Sequence, residues 1–365
     1  MKLVSRRIAL CAMILVVTVV VPYMAGSLSS SRATEAHANQ SSNPQTTFAK
    51  RPDVLRVALG QPANGNEPAK LISRGSILDG NGPLSFPQKI VSGPSRTLYL
   101  LDTELSNVFL VNSATSAVTR LCSPRLPVKP SDASVDNSGN VWVLDQQAQR
   151  ITSFDQQCRV RTSFKLERYG SRVQLNSFGE VVILTANART LFDVYSAEGK
   201  SLRSFGEKFD YQDPFADAVL NAGHILPDRV GGFYFSFTYP PLVRHYARDG
   251  RLLGEFKPEL NVTIERPQFS RMSGVSIART AKYQIGVLDL TLDSRGRLVF
   301  LVSGENQTQA MRNGSRNLLV TNARGQTLAK FELDAGPFDR LAAGSGLLYL
   351  LRNRAPLRLD KFALP

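Results

Sequence analysis

The fold this sequence predicts is all-β: a six-bladed β-propeller of four-stranded antiparallel blades. Three observations carry the prediction. One phrase recurs, a turn glycine followed by a short run of Val, Leu, Ile and aromatics. It stands at residues 139–144 (GNVWVL), 179–184 (GEVVIL), 232–237 (GFYFSF), 296–302 (GRLVFLV) and 346–351 (GLLYLL), with a glycine-free copy at 96–102 (RTLYLLD). Repeats spaced by roughly 40 to 60 residues mark a solenoid or a propeller. Each copy also sits among further short β-branched and aromatic runs separated by Asn, Asp and Gly turns, which favours sheet over helix. Finally, the last unit is short of its outermost strand, while an unassigned strand-like segment, 69–78 (AKLISRGSIL), precedes the first. A ring closed by both ends of the chain would use that segment as the missing edge.

In chain order, residues 1–7 form a short basic start and residues 8–21 are apolar except for Thr18. That is the pattern of a secretory signal. Ala36-His37-Ala38 has the small-x-small form of a cleavage site but lies far beyond the apolar run. Residues 1–26 are therefore read as either a signal peptide or an uncleaved N-terminal anchor, since extension to Met24 reaches the lower limit of a span. Cys11 lies too early for a lipoprotein site. Residues 27–68, rich in Ser, Ala, Asn, Gln and Thr, read as a flexible linker with 54–59 as a spare strand. The propeller occupies 69–365.

Blade 1 takes its strands from 89–91, 97–102, 107–111 and 117–122. Blade 2 takes 133–136, 140–145, 150–154 and 159–166. Blade 3 takes 173–175, 180–185, 191–195 and 201–205, and blade 4 takes 224–227, 232–238, 242–246 and 252–256. Blade 5 takes 286–292, 297–302, 317–321 and 327–333. Blade 6 has 338–342, 347–351 and 357–362, completed by 69–78. Asn137-Ser-Gly and Asn176-Ser-Phe-Gly mark hairpins between first and second strands. Glu198-Gly, Asp249-Gly and Arg324-Gly mark those between third and fourth. Glycine there supplies the positive φ of a tight hairpin. Asp102 and Asp145 recur at equivalent strand ends, so they read as fold residues accepting hydrogen bonds from the following turn.

Residues 86–90 (FPQKI), followed by 98–102 (LYLLD) and 107–109 (NVF), together with 130–153 (PSDASVDNSGNVWVLDQQAQRITS), resemble the NHL-type and related six-bladed propellers of bacteria. The resemblance spans about 69–365 and rests, in blades 3 to 6, on turn glycines and spacing. Members of such families include scaffolds, ligand binders, hydrolases and lyases, so the resemblance implies a fold and leaves the activity open.

Strand alternation assigns every loop to a face. Hairpins joining strands one to two and three to four share a plain face with short turns. The other connections share the opposite face, and every long insertion falls there: 206–223, 257–285 and 303–316, with the stiff turn Tyr239-Pro240-Pro241. Loops mounted on a rigid scaffold are common binding surfaces. The binding candidates are Tyr211, Phe215, Tyr239, Arg266, Arg271, Arg279 and Arg312. A net charge of +14 favours an anionic counterpart. The cations are scattered and the chain looks exported, which argues against nucleic acid. The expected function is thus an exported, periplasmic or secreted, non-catalytic scaffold. It would engage a protein, a glycan or an anionic envelope ligand, and would meet a membrane only through its N-terminal segment.

No HxH, HExxH, close Cys pair, G-x-S-x-G elbow, phosphate loop or dinucleotide motif is present. No catalytic residue is named and no cofactor is expected. The enzymatic alternative is a calcium-dependent, lactonase-like hydrolase or lyase, which would need oxygen ligands converging in the central channel. Asp132, His224, Asp228, Asp289 and Asp339 are the channel candidates. A third reading is a purely structural envelope protein. Cys122 and Cys158 are the two cysteines beyond the leader and would suit one disulfide in an oxidising compartment. Strand direction argues against it. Cys122 ends an outer strand near the elaborated face, whereas Cys158 sits in a plain-face turn where Gly199, Gly250 and Gly325 stand in other blades. Only a register shift or a descending 123–129 loop would bring them within about 7 Å.

Overall fold

The computed structural model describes residues 71–365 apart from 79, 81–82, 186–188, 211–213, 261–267, 273–274, 281–283, 306 and 335. The expected leader, linker and spare strand lie outside the described residues. The described chain forms six four-stranded antiparallel sheets. Blade 1 is Pro87–Ser92, Thr97–Asp102, Asn107–Asn112 and Val118–Arg120, from the axis outward. Blade 2 is Asp132–Val135, Val141–Asp145, Arg150–Phe154 and Val160–Lys165. Blade 3 is Gly170–Leu175, Val181–Thr185, Thr190–Tyr195 and Ser201–Glu207. Blade 4 is Gly223–Pro227, Phe233–Phe237, Val243–Tyr246 and Leu252–Phe256. Blade 5 is Val287–Leu292, Leu298–Val302, Asn317–Thr321 and Thr327–Glu332. Blade 6 is Arg340–Gly344, Leu347–Arg352 and Arg358–Ala363, and Ile72–Leu78 closes it. The closing strand pairs antiparallel, from Ile72 opposite Ala363 to Leu78 opposite Leu359.

Hydrophobicity sorts the strands radially. Second strands such as VWVLD and FYFSF are buried on both faces, because each lies between two neighbouring blades. Outermost strands alternate or are mostly exposed, as in VRTSFK and LLGEF. The core is accordingly divided among the seams. Ile90, Leu100 and Phe109 of blade 1 pack with Leu351, Leu359 and Ile77 of blade 6. Phe192 packs with Phe233 and Phe235 across blades 3 and 4. Each such buried side chain contributes about 1.5–3 kcal/mol. The repeated aspartates hold the loops together. Asp102 accepts hydrogen bonds from the backbone N–H groups of Ser85, Phe86 and Leu105, and Asp145 accepts them from Lys129 and Ala148.

Cys122 and Cys158 form a disulfide, with Cα atoms 5.3 Å apart. Strand direction alone would keep the two cysteines apart, and the twist of the blade brings them together. The outermost strand of one blade crosses the third-to-fourth turn of the next. Phe164, Phe205 and Phe256 thereby lie over Gly199, Gly250 and Gly325, where an added Cβ would come within 2.4, 2.5 and 2.1 Å of the ring. The same crossing carries Leu121-Cys122 of blade 1 onto Cys158 of blade 2, which takes the glycine's place with φ 62°. The bond fits an oxidising, extracytoplasmic environment.

Candidate functional site

All three long insertions fall on one face. Residues 208–222 contain helix α1 (Pro214–Leu220). Residues 257–286 contain a hairpin, Gln268–Met272 with Val275–Thr280, that among the described residues pairs with no blade. Residues 303–316 contain helix α2 (Gln307–Asn313). In the sequence these stretches have the character of loops. Two seven-residue helices and one hairpin carry too little periodicity to declare themselves. α1 is held by buried Leu220 and by Asn221, whose amide donates to the carbonyls of Phe209 and Asp217 and accepts from the Phe209 N–H. α2 is held by fully buried Ala310.

Tyr239 is buried, against Leu220, Ile285 and Phe338, and so belongs to the core and not to an exposed binding surface. The Pro-Pro turn that follows folds its ring inward. Arg312 is exposed in the last turn of α2. Tyr211 and Arg266 lie outside the described residues, as do the side chains of Phe215, Arg271 and Arg279. The backbone places Phe215 in α1 and the two arginines on the two strands of the hairpin.

Just inside this face the channel carries one ionisable residue per blade: Lys89, Asp132, Arg172, His224, Asp289 and Arg340. Their innermost strands place them at one level, opposite Leu101, Leu144, Leu184, Ser236, Leu301 and Leu351 of the second strands. The next residue in each strand, such as Ile90, Val173 or Leu341, turns into the core. Lys89 Nζ lies 2.8 Å from Asp132 Oδ1, and Asp132 Oδ2 accepts from Val173 N–H of blade 3 at 2.8 Å. His224 Nδ1 lies 3.5 Å from Asp289 Oδ1, and Asp289 Oδ2 accepts from Leu341 N–H of blade 6 at 3.0 Å. Ser134 and Thr291 repeat this blade-to-blade bond two residues on, to Leu175 and Ala343. Two half-rings result, Lys89–Asp132–Arg172 and His224–Asp289–Arg340.

The level is electrostatically tense. Burial drives the His224 pKa well below the ordinary imidazole value, and Arg172, Arg340 and Lys89 push it the same way against a hydrogen bond with the Val287 backbone. His224 is therefore neutral near pH 7. Burial raises the Asp289 carboxyl, opposed by Arg340, the N–H groups of Leu341 and Leu290, and Lys89. Burial also lowers the Arg340 guanidinium, with Asp289 opposing.

Of the channel candidates, Asp132, His224 and Asp289 stand in this level, and Asp228 and Asp339 do not. Asp228 opens a hairpin on the plain face, accepts from Val230 N–H, and lies 2.9 Å from His245 Nε2, whose ring stacks on Tyr234. Asp339 precedes Arg340 by one residue, so its carboxylate turns away, to Asn353 N–H and the Arg354 guanidinium. Among the described residues no three His, Cys, Asp or Glu side chains come together in a way that could hold a metal ion. Lys89, Arg172 and Arg340 are not among the sequence candidates, because scattered cations read only as overall charge. Aligning the six innermost strands on the last residue but one of each second strand would have found them.

No protein-family model matches the chain, and no curated protein sequence matches it. Solved structures do. A catalytically inactive virginiamycin B lyase from Staphylococcus aureus, with quinupristin, is 11% identical over 81% of this chain and 99% of its own, at a TM-score of 0.52. A gluconolactonase from Xanthomonas campestris is 12% identical over 84% and 99%, also at 0.52. A Bacteroides thetaiotaomicron protein of unknown function is 12% identical over 81% and 76%, at 0.51. At such identities the likeness shows the propeller fold alone.

Proposed function

We propose that this protein is an exported, NHL-type propeller that binds an anionic envelope ligand, a polysaccharide or lipid surface, through its loop-bearing face without catalysing a reaction. The observation that supports it is the gathering of α1, the hairpin and α2 on a single face of an otherwise regular ring. The hairpin segment, residues 257–285, carries five basic residues against two acidic ones, and α2 adds exposed Arg312. Basic loops on a rigid frame recruit an anionic surface by long-range attraction and are screened by salt. The disulfide and the basic-then-apolar start of the chain support a periplasmic or secreted location.

Retention on dextran sulfate and on phosphatidylglycerol vesicles tests the reading. Replacing residues 268–280 by a short Gly-Ser linker leaves every blade pair intact and should weaken retention about tenfold or more, with unchanged melting. Arg312→Glu should weaken it less. Equal retention by both variants would assign binding to overall charge and overturn the reading.

A further inference from the structure

The charged level of the channel is a ring with one link open. At five of the six positions the side chain leans onto the following blade. Lys89 reaches Asp132, Asp132 takes the Val173 N–H, and His224 stands against Asp289. Asp289 takes the Leu341 N–H, and Arg340 Nε donates to the Gln88 carbonyl of blade 1 at 2.6 Å. Five links are thus closed. The sixth is Arg172 of blade 3 toward blade 4. Among the described residues no carboxylate or carbonyl takes a hydrogen bond or ion pair from its guanidinium. The next position around the level is His224, on the innermost strand of blade 4, and of the neighbouring charges Arg172 acts most strongly on that imidazole. An imidazole already set against Asp289 and the Val287 backbone is a poor acceptor for a guanidinium.

The charge count agrees. The level holds three fixed cations, Lys89, Arg172 and Arg340, against two carboxylates, Asp132 and Asp289. With His224 neutral, one positive charge is uncompensated. Arg172, His224 and Asp289 are each partly exposed, with 16% of the His224 and Asp289 side-chain surfaces accessible. A planar guanidinium with five N–H donors suits a two-oxygen acceptor. The half-ring comparison sharpens this: Arg340, the counterpart of Arg172, is tied down by the Gln88 and Asp339 carbonyls.

We propose that the gap between Arg172 and His224 is a binding site for a small carboxylate anion, gripped by the Arg172 guanidinium and entered from the loop-bearing face. One negative charge balances the level with no proton taken up. An anion here also relieves the repulsion that Arg172, Arg340 and Lys89 exert on His224, with Asp132, Asp289 and the Val287 carbonyl unchanged around it. Imidazole protonation then moves to higher pH when the site is filled. The inference goes beyond the loop-face reading and does not rest on it.

The test is NMR of the imidazole resonances in the full chain, assigned among three histidines with His224→Gln. Acetate, galacturonate and inorganic phosphate are titrated separately. The expected result is saturable movement of the His224 signals by acetate or galacturonate, with a raised His224 pKa. Arg172→Gln should weaken it by about tenfold or more, and Arg172→Lys, which keeps charge but loses the fork, by less. The hairpin replacement should bind like the intact chain, which separates this site from the loop face. Tighter binding of galacturonate than of acetate would identify a sugar acid as the source. No movement with any anion, movement that persists in Arg172→Gln, or preference for phosphate with proton uptake would each overturn the proposal.

Discussion

The seam between blades 1 and 2 and the seam between blades 3 and 4 do the same work with different bonds. In both, an outermost strand crosses the next blade's third-to-fourth turn. Between blades 1 and 2 the crossing is covalent, Cys122 to Cys158. Between blades 3 and 4 it is the Phe205 ring on Gly250, reinforced by charge. Glu180, in a blade 3 hairpin, lies 2.6 Å from Arg203 Nη2 of its own blade and 2.9 Å from Arg248 Nη2 of blade 4, and Asn176 donates to it as well. Arg248 also lies over the Phe178 ring. Glu180, Arg203 and Arg248, with Ala247 and Asp249, wall a cleft of about 460 Å³ on the plain face. The difference teaches where each bond acts. A disulfide chiefly limits the unfolded chain and is indifferent to mild pH. An ionic clasp acts in the folded state and only while it is charged.

The largest expected effect breaks the first seam. Replacing Cys122 and Cys158 together by serine opens a crosslink spanning 36 residues. Chain entropy for such a loop predicts a loss of about 3–4 kcal/mol, read from the urea midpoint and independent of pH between about 5 and 8. An unchanged midpoint would mean that packing at Leu121 and Phe154 holds the seam and that the bond is incidental.

The second effect loosens the other seam. Burial pushes the Glu180 carboxyl up, but hydrogen bonds from Arg203, Arg248 and Asn176 outweigh it and hold its pKa down at about 2. The folded value lies below the unfolded one. The clasp is therefore fully stabilising above about pH 4.5 and is lost as pH falls from there toward 2. Glu180→Gln should cost about 2–3 kcal/mol at pH 7, and the intact protein should converge on the variant near pH 2. A gap that stays constant from neutral to acid pH would remove charge from the explanation.

Most of the ring was legible in the sequence for a simple reason. Short continuous apolar runs such as VWVLD and turn glycines such as Gly139 and Gly179 are local signals, and the fold repeats them. The seams were not legible, because contacts such as Phe205 on Gly250, or Cys122 on Cys158, depend on how far a blade twists. The channel was partly legible. Asp132, His224 and Asp289 could be placed near innermost strands, but Asp339 stands one residue before Arg340, and a one-residue step turns a strand side chain to the other side. Tyr239 shows the same limit on the loop face. Its neighbouring prolines predicted a stiff turn correctly and said nothing of which way the ring would point.

The smallest effect separates sterics from backbone in the blade 3–4 seam. Gly250 combines φ +92° with the Phe205 ring, 2.5 Å from where a Cβ would stand. Gly296 has φ +77° and nothing within 4 Å of that position. Gly296→Ala should therefore cost only the left-handed backbone, about 1 kcal/mol. Gly250→Ala should cost about 1–2 kcal/mol, the excess coming from displacement of the ring. Phe205→Leu in the Gly250→Ala background should recover part of that excess, because a smaller side chain can move off the turn. Equal losses at the two glycines would show that the Phe205 ring yields without penalty. The glycines of the third-to-fourth turns would then be there for their backbone alone, and Cys158, at φ 62° in the same position, would be a crosslink placed on a turn that never needed a latch.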